Sequence, residues 1–274
     1  MKKFILFISF IVLSIVATTA YAGNDKQSAY ERVMKNNEIK CGYAVWPPFV
    51  EKDPNSGEMS GILVDIVDEI GKSLDLKINW AYETGYGNYT EDLNSNRIDM
   101  MCATLWADAG RIRNSLLMDP ILYSGVYLIV KEGDMRFDDD ITKLNSEEYT
   151  VVGIEGDITQ SLAERLFPKA KKISIPSMMQ ASELAEHIKT GKATASFADL
   201  GFYNDYIAKN PNTIRALENN PAWIFGERLA VKNGETKLKG IVDTAIAELV
   251  NSGKIEEIIK RYPDTSTMPP KKDF

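Results

Sequence analysis

Histidine is nearly absent. The 274-residue sequence holds one, His187, in the charged stretch ELAEHIKTG. A Ser-His-Asp triad or a histidine-ligated metal site therefore has almost no material, and His187 reads as a solvated helix residue. The GxxxxGK phosphate loop and the GxGxxG dinucleotide fingerprint are also missing. GYG at 85–87 is too short to cradle a phosphate. No catalytic group, metal or cofactor is expected. An excess of basic charge is lacking too. The formal net charge is −7, which argues against nucleic acid and anionic membranes as partners. Cysteine is scarce: Cys41 in IKCGYAV and Cys102 in IDMMCATL. They either face each other on neighbouring strands or remain two buried thiols. A bridge between directly paired strands is geometrically demanding, and the sequence leaves both alternatives open.

Long apolar runs are lacking except at the start. Lys2 and Lys3 precede FILFISFIVLSIV, and AYA at 20–22 places small residues two apart. This is the pattern of a secretory signal peptide cut after Ala22. The run is short for a bilayer, which takes ~20 residues. The mature chain is expected to be soluble, uninserted in membrane, monomeric and exported, most simply to a bacterial periplasm. Its net charge would be −9 without the two lysines.

What is present alternates between strands and helices. IKCGYAV reads as a strand stopped by WPPF, because proline cannot continue a ladder. GILVDIVDEIGKSL carries Ile62, Leu63, Ile66, Val67 and Ile70 at helical spacing. KINWAY, NYTEDLNSN and IDMMCATL continue as strand, helix and strand. A parallel, doubly wound sheet follows from that order. A second α/β unit runs through YSGVYLIVKEG, TVVGIEG, DITQSLAERLF, KKISI, MMQASELAEHIKTG, ATASFA and LGFYNDYIAKN. RLAVKNG then starts a strand. A long helix with Leu238, Val242, Ala245 and Leu249 on one face follows it, and KIEEIIKRY closes it. The tail PDTSTMPPKKDF is polar, proline-rich and expected to be loose. Two such units imply two lobes, and open α/β sheets bind ligands beyond their strands' carboxyl ends.

Three stretches carry a resemblance. IKCGYAVWPPFVEKDPNSGEMSGILVDIVDEI, NSNRIDMMCATLWADAGRIRNSLLMDPILYSGVYLIVKEGD and IVDTAIAELVNSGKIEEIIKRY resemble, in order and spacing, the bacterial extracellular solute-binding proteins of family 3. The resemblance spans about residues 30–262. It implies an α/β, two-lobed periplasmic-binding-protein fold of type II, each lobe a doubly wound sheet, with the ligand cleft between lobes. Lobe one would hold residues 23–123 plus 226–274, and lobe two 124–225. The lobes would close about crossovers near Tyr123–Gly125 and Phe225–Gly226. The implied partners are a small-molecule ligand and the membrane permease of an ABC transporter.

The resemblance also implies site residues. Arg111 takes the place of the arginine that holds a ligand's α-carboxylate. A guanidinium offers two parallel donors there, beside a helix N-terminus. Asp108 reads as that helix's N-cap. Trp46 takes the stacking aromatic position and Tyr86 the opposite face. Thr104 lies at the strand end near the ligand amine, and Asp199 matches the second-lobe acid that pairs with the ammonium. Two positions depart from the family pattern. Trp106 stands where many relatives carry Ser or Thr, and Gly156-Asp157-Ile158-Thr159 replaces a Gly-Thr-Thr turn. The pocket is therefore expected to be more aromatic and less generous to a carboxylate, with Trp106 and Thr159 on its walls. The solute would be zwitterionic or amine-bearing. An exported dehydratase acting on prephenate or arogenate and a ligand-sensing receptor are the rival readings of the same fold.

Overall fold

The computed structural model describes residues 27–218, 221–265 and 267–272. The expected signal peptide lies outside the described residues. Helix α1 (Ala29–Asn36) opens under a capping box, in which Ser28 and Glu31 satisfy each other's backbone amides. Strand β1 (Glu38–Tyr43) leads to the WPPF turn, whose Pro47–Pro48 bond is cis. A small hairpin follows, β2 (Glu51–Lys52) with β3 (Met59–Ser60). Gly61 then sits at φ +119°, where a Cβ would lie 2.5 Å from the Phe49 carbonyl oxygen. Only glycine lets the next helix pack onto that turn.

Helix α2 (Ile62–Leu74) buries Ile62, Leu63, Ile66, Val67 and Ile70, the face its spacing predicts. Each such side chain contributes about 1.5–3 kcal/mol by leaving water. Strand β4 (Lys77–Glu83), helix α3 (Tyr89–Asn94), strand β5 (Met100–Trp106) and helix α4 (Ala109–Asn114) complete the first unit. Strands β6 (Ser115–Leu117) and β7 (Leu122–Lys131) carry the chain out of it.

The second unit alternates β8 (Thr150–Ile154), α5 (Ile158–Leu166), β9 (Lys171–Ile175), α6 (Ser182–Lys189), β10 (Ala195–Asp199) and α7 (Leu200–Lys209). Strand β11 (Ile214–Ala216) and the long β12 (Trp223–Lys232) bring the chain back. Helices α8 (Thr236–Asn251) and α9 (Lys254–Ile259) then cover the first unit.

Strands β4, β1 and β5 run parallel, as do β9, β8 and β10. The units are not separate sheets. Among the described residues one path runs β4-β1-β5-β12-β7-β10-β8-β9, joined where β12 lies antiparallel to both β5 and β7. Tyr123 pairs with Gly226 and Ser124 with Phe225, so the two segments where crossovers were expected lie side by side. Two apolar clusters flank this junction. One is built on α2, α8 and β1; the other holds Val126, Leu128, Ile158, Leu162 and Phe197.

The state of the cysteines, open in the sequence, is decided here, and two expectations need correction. Cys41 and Cys102 form a disulfide with a Cα separation of 5.5 Å. Cys41 pairs with Met100, so Cys102 sits diagonally on the neighbouring strand, not directly opposite. That offset gives the ordinary separation for a bridge, which removes the geometric objection. The tail is not loose at Thr265 and Met268. Its amide and carbonyl exchange hydrogen bonds with Tyr123 at 2.9 and 2.8 Å, and Thr265 is buried. Strand β12 starts at Trp223, five residues before the RLAVKNG segment. His187 lies on α6 as expected, half-buried, with Nδ1 2.8 Å from the Glu183 carbonyl oxygen.

Candidate functional site

The site lies where the carboxyl ends of both units' parallel strands meet. On the first unit, WPPF folds back so that the Trp46 amide donates to the Val50 carbonyl. The turn thereby fixes the indole, whose Nε1 donates 2.7 Å to Asp199 Oδ2 of the second unit. Phe202 of α7 lies tilted against the same indole at 5.3 Å between centroids. Tyr86 follows β4 and meets Trp46 edge-on at 6.0 Å. Its hydroxyl lies 3.4 Å from Thr104 Oγ1 on β5. The Arg111 guanidinium sits over the Tyr86 ring at 5.8 Å. Trp46, Tyr86, Thr104, Arg111 and Asp199 thus form one connected group.

Arg111 is held by its own turn. Asp108 caps α4, accepting from the Gly110 and Arg111 amides at 2.7 and 3.1 Å. The guanidinium is buried, 7% exposed. One terminal nitrogen donates 2.9 Å to the Trp106 carbonyl. The other has only long contacts across the cleft, 3.4 Å to the Gly156 carbonyl and 3.4 Å to Asp157 Oδ2. Nε lies 3.8 Å from Asp108 Oδ2 and makes no hydrogen bond. An arginine with five donors, buried and half satisfied, is poised to receive an anion.

Asp199 ends β10 and is 1% exposed. Its Oδ1 accepts from the Phe202 amide at 2.7 Å and caps α7, while Oδ2 faces Trp46. Burial pushes its carboxyl up to about 6, against the opposing pull of the Phe202 amide and the Trp46 N–H. Burial likewise raises the Tyr86 phenol, which stays neutral.

The two departures from the family pattern sit differently from the rest. Trp106 points into the second apolar cluster, stacked on Phe225 at 5.2 Å, with its Nε1 donating to Glu227. Thr159 is fully buried in its own turn. Its hydroxyl donates 2.8 Å to Asp157 Oδ1 and accepts from the Ile154 amide at 3.0 Å.

Sequence reasoning missed Glu227 and undervalued Asp157. Starting β12 at Arg228 left Glu227 in a loop; on the strand it shares a face with Phe225, an acid where alternation asks for an apolar residue. Asp157 caps α5, accepting 2.9 Å from the Thr159 amide, and also reaches Arg111.

The units are drawn together here. Gly156, at φ +72°, brings its backbone so close that a Cβ there would lie 2.6 Å from Gly87 Cα. A Cβ on Gly85 would lie 2.6 Å from the Ser177 carbonyl oxygen. The space left along Trp46, Tyr86, Ile154 and Ser177 is about 40 Å³. Larger hollows lie elsewhere, one of about 500 Å³ between α8 and the tail, but none of the connected polar groups lines it. Among the described residues no cluster of His, Cys, Asp and Glu fits a metal ion, and no helix is long and apolar enough to cross a membrane.

Two α/β lobes joined by paired strands, with an arginine on one wall and an acid on the other, define a cleft-binding receptor of the two-lobed kind. The chain belongs to the bacterial extracellular solute-binding proteins of family 3, whose pattern matches residues 39–265. It is similar to the L-cystine-binding protein TcyA of Bacillus subtilis, 23% identical over 96% of this chain and 97% of that one. It is also similar to the ABC transporter glutamine-binding protein GlnH of Bacillus subtilis, 23% identical over 77% of this chain and 75% of that one. Among solved structures, the ancestral amino acid-binding protein AncCDT-1, a precursor of cyclohexadienyl dehydratase, superposes with a TM-score of 0.74. It is 18% identical and covers 86% of this chain and 99% of its own.

Proposed function

We propose that this protein captures an amino-acid-like zwitterion between its lobes and delivers it to the membrane permease of an ABC transporter. The observation that carries the reading is the half-satisfied, buried Arg111 on one wall with the buried acid Asp199 on the other, linked through Tyr86 and Trp46. Arg111 takes the carboxylate and displaces Asp157. Asp199 takes the ammonium in place of the Trp46 N–H. Trp46 and Tyr86 sandwich the solute, and Thr104 supplies a hydroxyl near the amine. Thr159 acts from behind, by orienting Asp157, and Trp106 by offering its carbonyl to Arg111. Relatives named for glutamine and L-cystine support this ligand class.

The lobes comprise residues 23–123 plus 226–274 and residues 124–225, and they rotate about the paired segments Tyr123–Gly125 and Phe225–Gly226. A solute that touches both walls favours the closed form by its differential affinity for it. The mature chain acts as a periplasmic monomer after cleavage behind Ala22. It binds without turnover; release of phenylpyruvate from prephenate or arogenate would replace this reading with a dehydratase.

A thermal-shift screen of the refolded protein tests the reading. An amino acid at a hundred times its Kd should stabilise by about 2.7 kcal/mol. Stabilisation by neutral sugars or inorganic anions alone would overturn it.

A further inference from the structure

Glu227 stands outside the connected group of Trp46, Tyr86, Thr104, Arg111 and Asp199. It lies on β12, where that strand runs between β5 and β7, and is 1% exposed. Its Oε1 accepts from Trp106 Nε1 and Ser124 Oγ, while Oε2 is buried without a partner. A buried polar atom left unpaired is costly and calls for an explanation. Among the described residues the other buried side-chain atoms without a partner are Arg111 Nε and Arg228 Nε. Arg228 is the next residue along the strand, so its side chain projects from the other face, and its guanidinium donates to the Met118 carbonyl. The other two are a donor on Arg111, in the cleft, and an acceptor on Glu227, which the charges of Arg111 and Asp199 reach.

The charged and titratable groups that bear on this region are Asp199 of β10, Arg111 of α4, Asp157 before α5 and Tyr86. That is one buried cation among three buried acids. A simple zwitterion brings one charge of each sign, matched by Arg111 and Asp199, and leaves Glu227 Oε2 without a partner. A second cationic group on the solute supplies that partner and favours the ionised carboxylate.

We propose that Glu227 is a specificity-determining residue whose free Oε2 takes the distal ammonium or guanidinium of a basic amino acid. This rests on the zwitterion reading above, with Arg111 and Asp199 holding the head group. Burial pushes the Glu227 carboxyl up to about 8, with Asp199 adding to the rise, so at neutral pH it holds a proton until a cation arrives. Binding then releases that proton to solvent.

The test is calorimetric titration of the mature, refolded protein and of Glu227→Gln with L-lysine, L-arginine and L-glutamine. The wild type should bind lysine or arginine at least about tenfold tighter than glutamine, and Glu227→Gln should erase that preference while glutamine binding stays within about threefold. An unchanged ratio, or equal loss for all three, overturns the inference. If the wild type binds no amino acid at all, the zwitterion reading itself has failed, a separate and recognisable result. Should the variant not fold, proton release decides. At pH 7 in buffers of different ionisation enthalpy, lysine should expel about one proton more than glutamine. Equal release refutes the assignment.

Discussion

Arg111 owes its pose to short-range chemistry. Asp108 caps the helix, the Trp106 carbonyl takes one guanidinium nitrogen, and the rest of the fork meets only long contacts. Two charge-assisted hydrogen bonds to a carboxylate contribute about 1.5–3 kcal/mol each. Arg111→Ala should therefore weaken amino-acid binding by at least about a hundredfold by calorimetry. Arg111→Lys keeps the charge, loses the fork, and should still cost about tenfold. The acids bring a pH dependence. Asp199 and Glu227 have folded-state pKa values raised above 3.8 and 4.5 to about 6 and about 8. The folded protein thus binds their protons more tightly than the unfolded chain does. The stability they contribute is complete below pH about 4 and lost as pH rises through those values. The melting temperature of the unliganded protein should fall between pH 5 and 9, and Glu227→Gln should flatten the upper part of that fall. Of the cleft residues, Trp46, Tyr86, Thr104, Arg111 and Asp199 were reached through the family resemblance rather than from local pattern, and the structure brings the five together. Glu227 was reached by neither: its acid character conflicts with a strand face, and only the pairing with β5 shows the strand reaching it.

At the scale of elements, turns and caps govern the approach of the two walls. Gly156 combines a left-handed backbone with close approach to Gly87. Gly156→Ala should both strain its turn, at about 1 kcal/mol, and hold the lobes apart. The expected result is a loss of affinity of more than about tenfold with a small change in unliganded melting temperature. Equal affinity would mean that closure does not bring these turns together. Trp46→Phe keeps the ring and removes the N–H to Asp199, which separates stacking from the hydrogen bond across the cleft. Helices α2 and α8 were readable from their apolar spacing, because a period of 3.6 over many residues is a strong signal. Helix α6 was drawn too long: Met178 and Met179 precede it, exposed at the cleft rim. Thioether side chains suit helices and turns alike, so nothing local marks the start.

For the whole molecule, the decisive feature is that β12 pairs with β5 of the first unit, β7 with β10 of the second, and β12 and β7 with each other. A strand pattern alone shows two alternating α/β units but not how they join, because pairing between distant strands leaves no local trace in sequence. The same holds for the disulfide, whose partners are 61 residues apart. Closing a loop of that size in the unfolded chain stabilises by about 2–4 kcal/mol, so Cys41→Ala with Cys102→Ala should lower stability by that order in denaturant melts. The Met268 pairing with Tyr123 ties the tail beside the crossing strands.

The proposed zwitterion bridges Arg111 and Asp199 across the cleft. The most direct measurement is calorimetric titration of an amino-acid panel into the refolded wild type, Arg111→Ala and Asp199→Asn. The wild type should bind at least one amino acid tightly, and each variant should lose about a hundredfold or more. Binding that survives both substitutions undiminished would contradict that bridge.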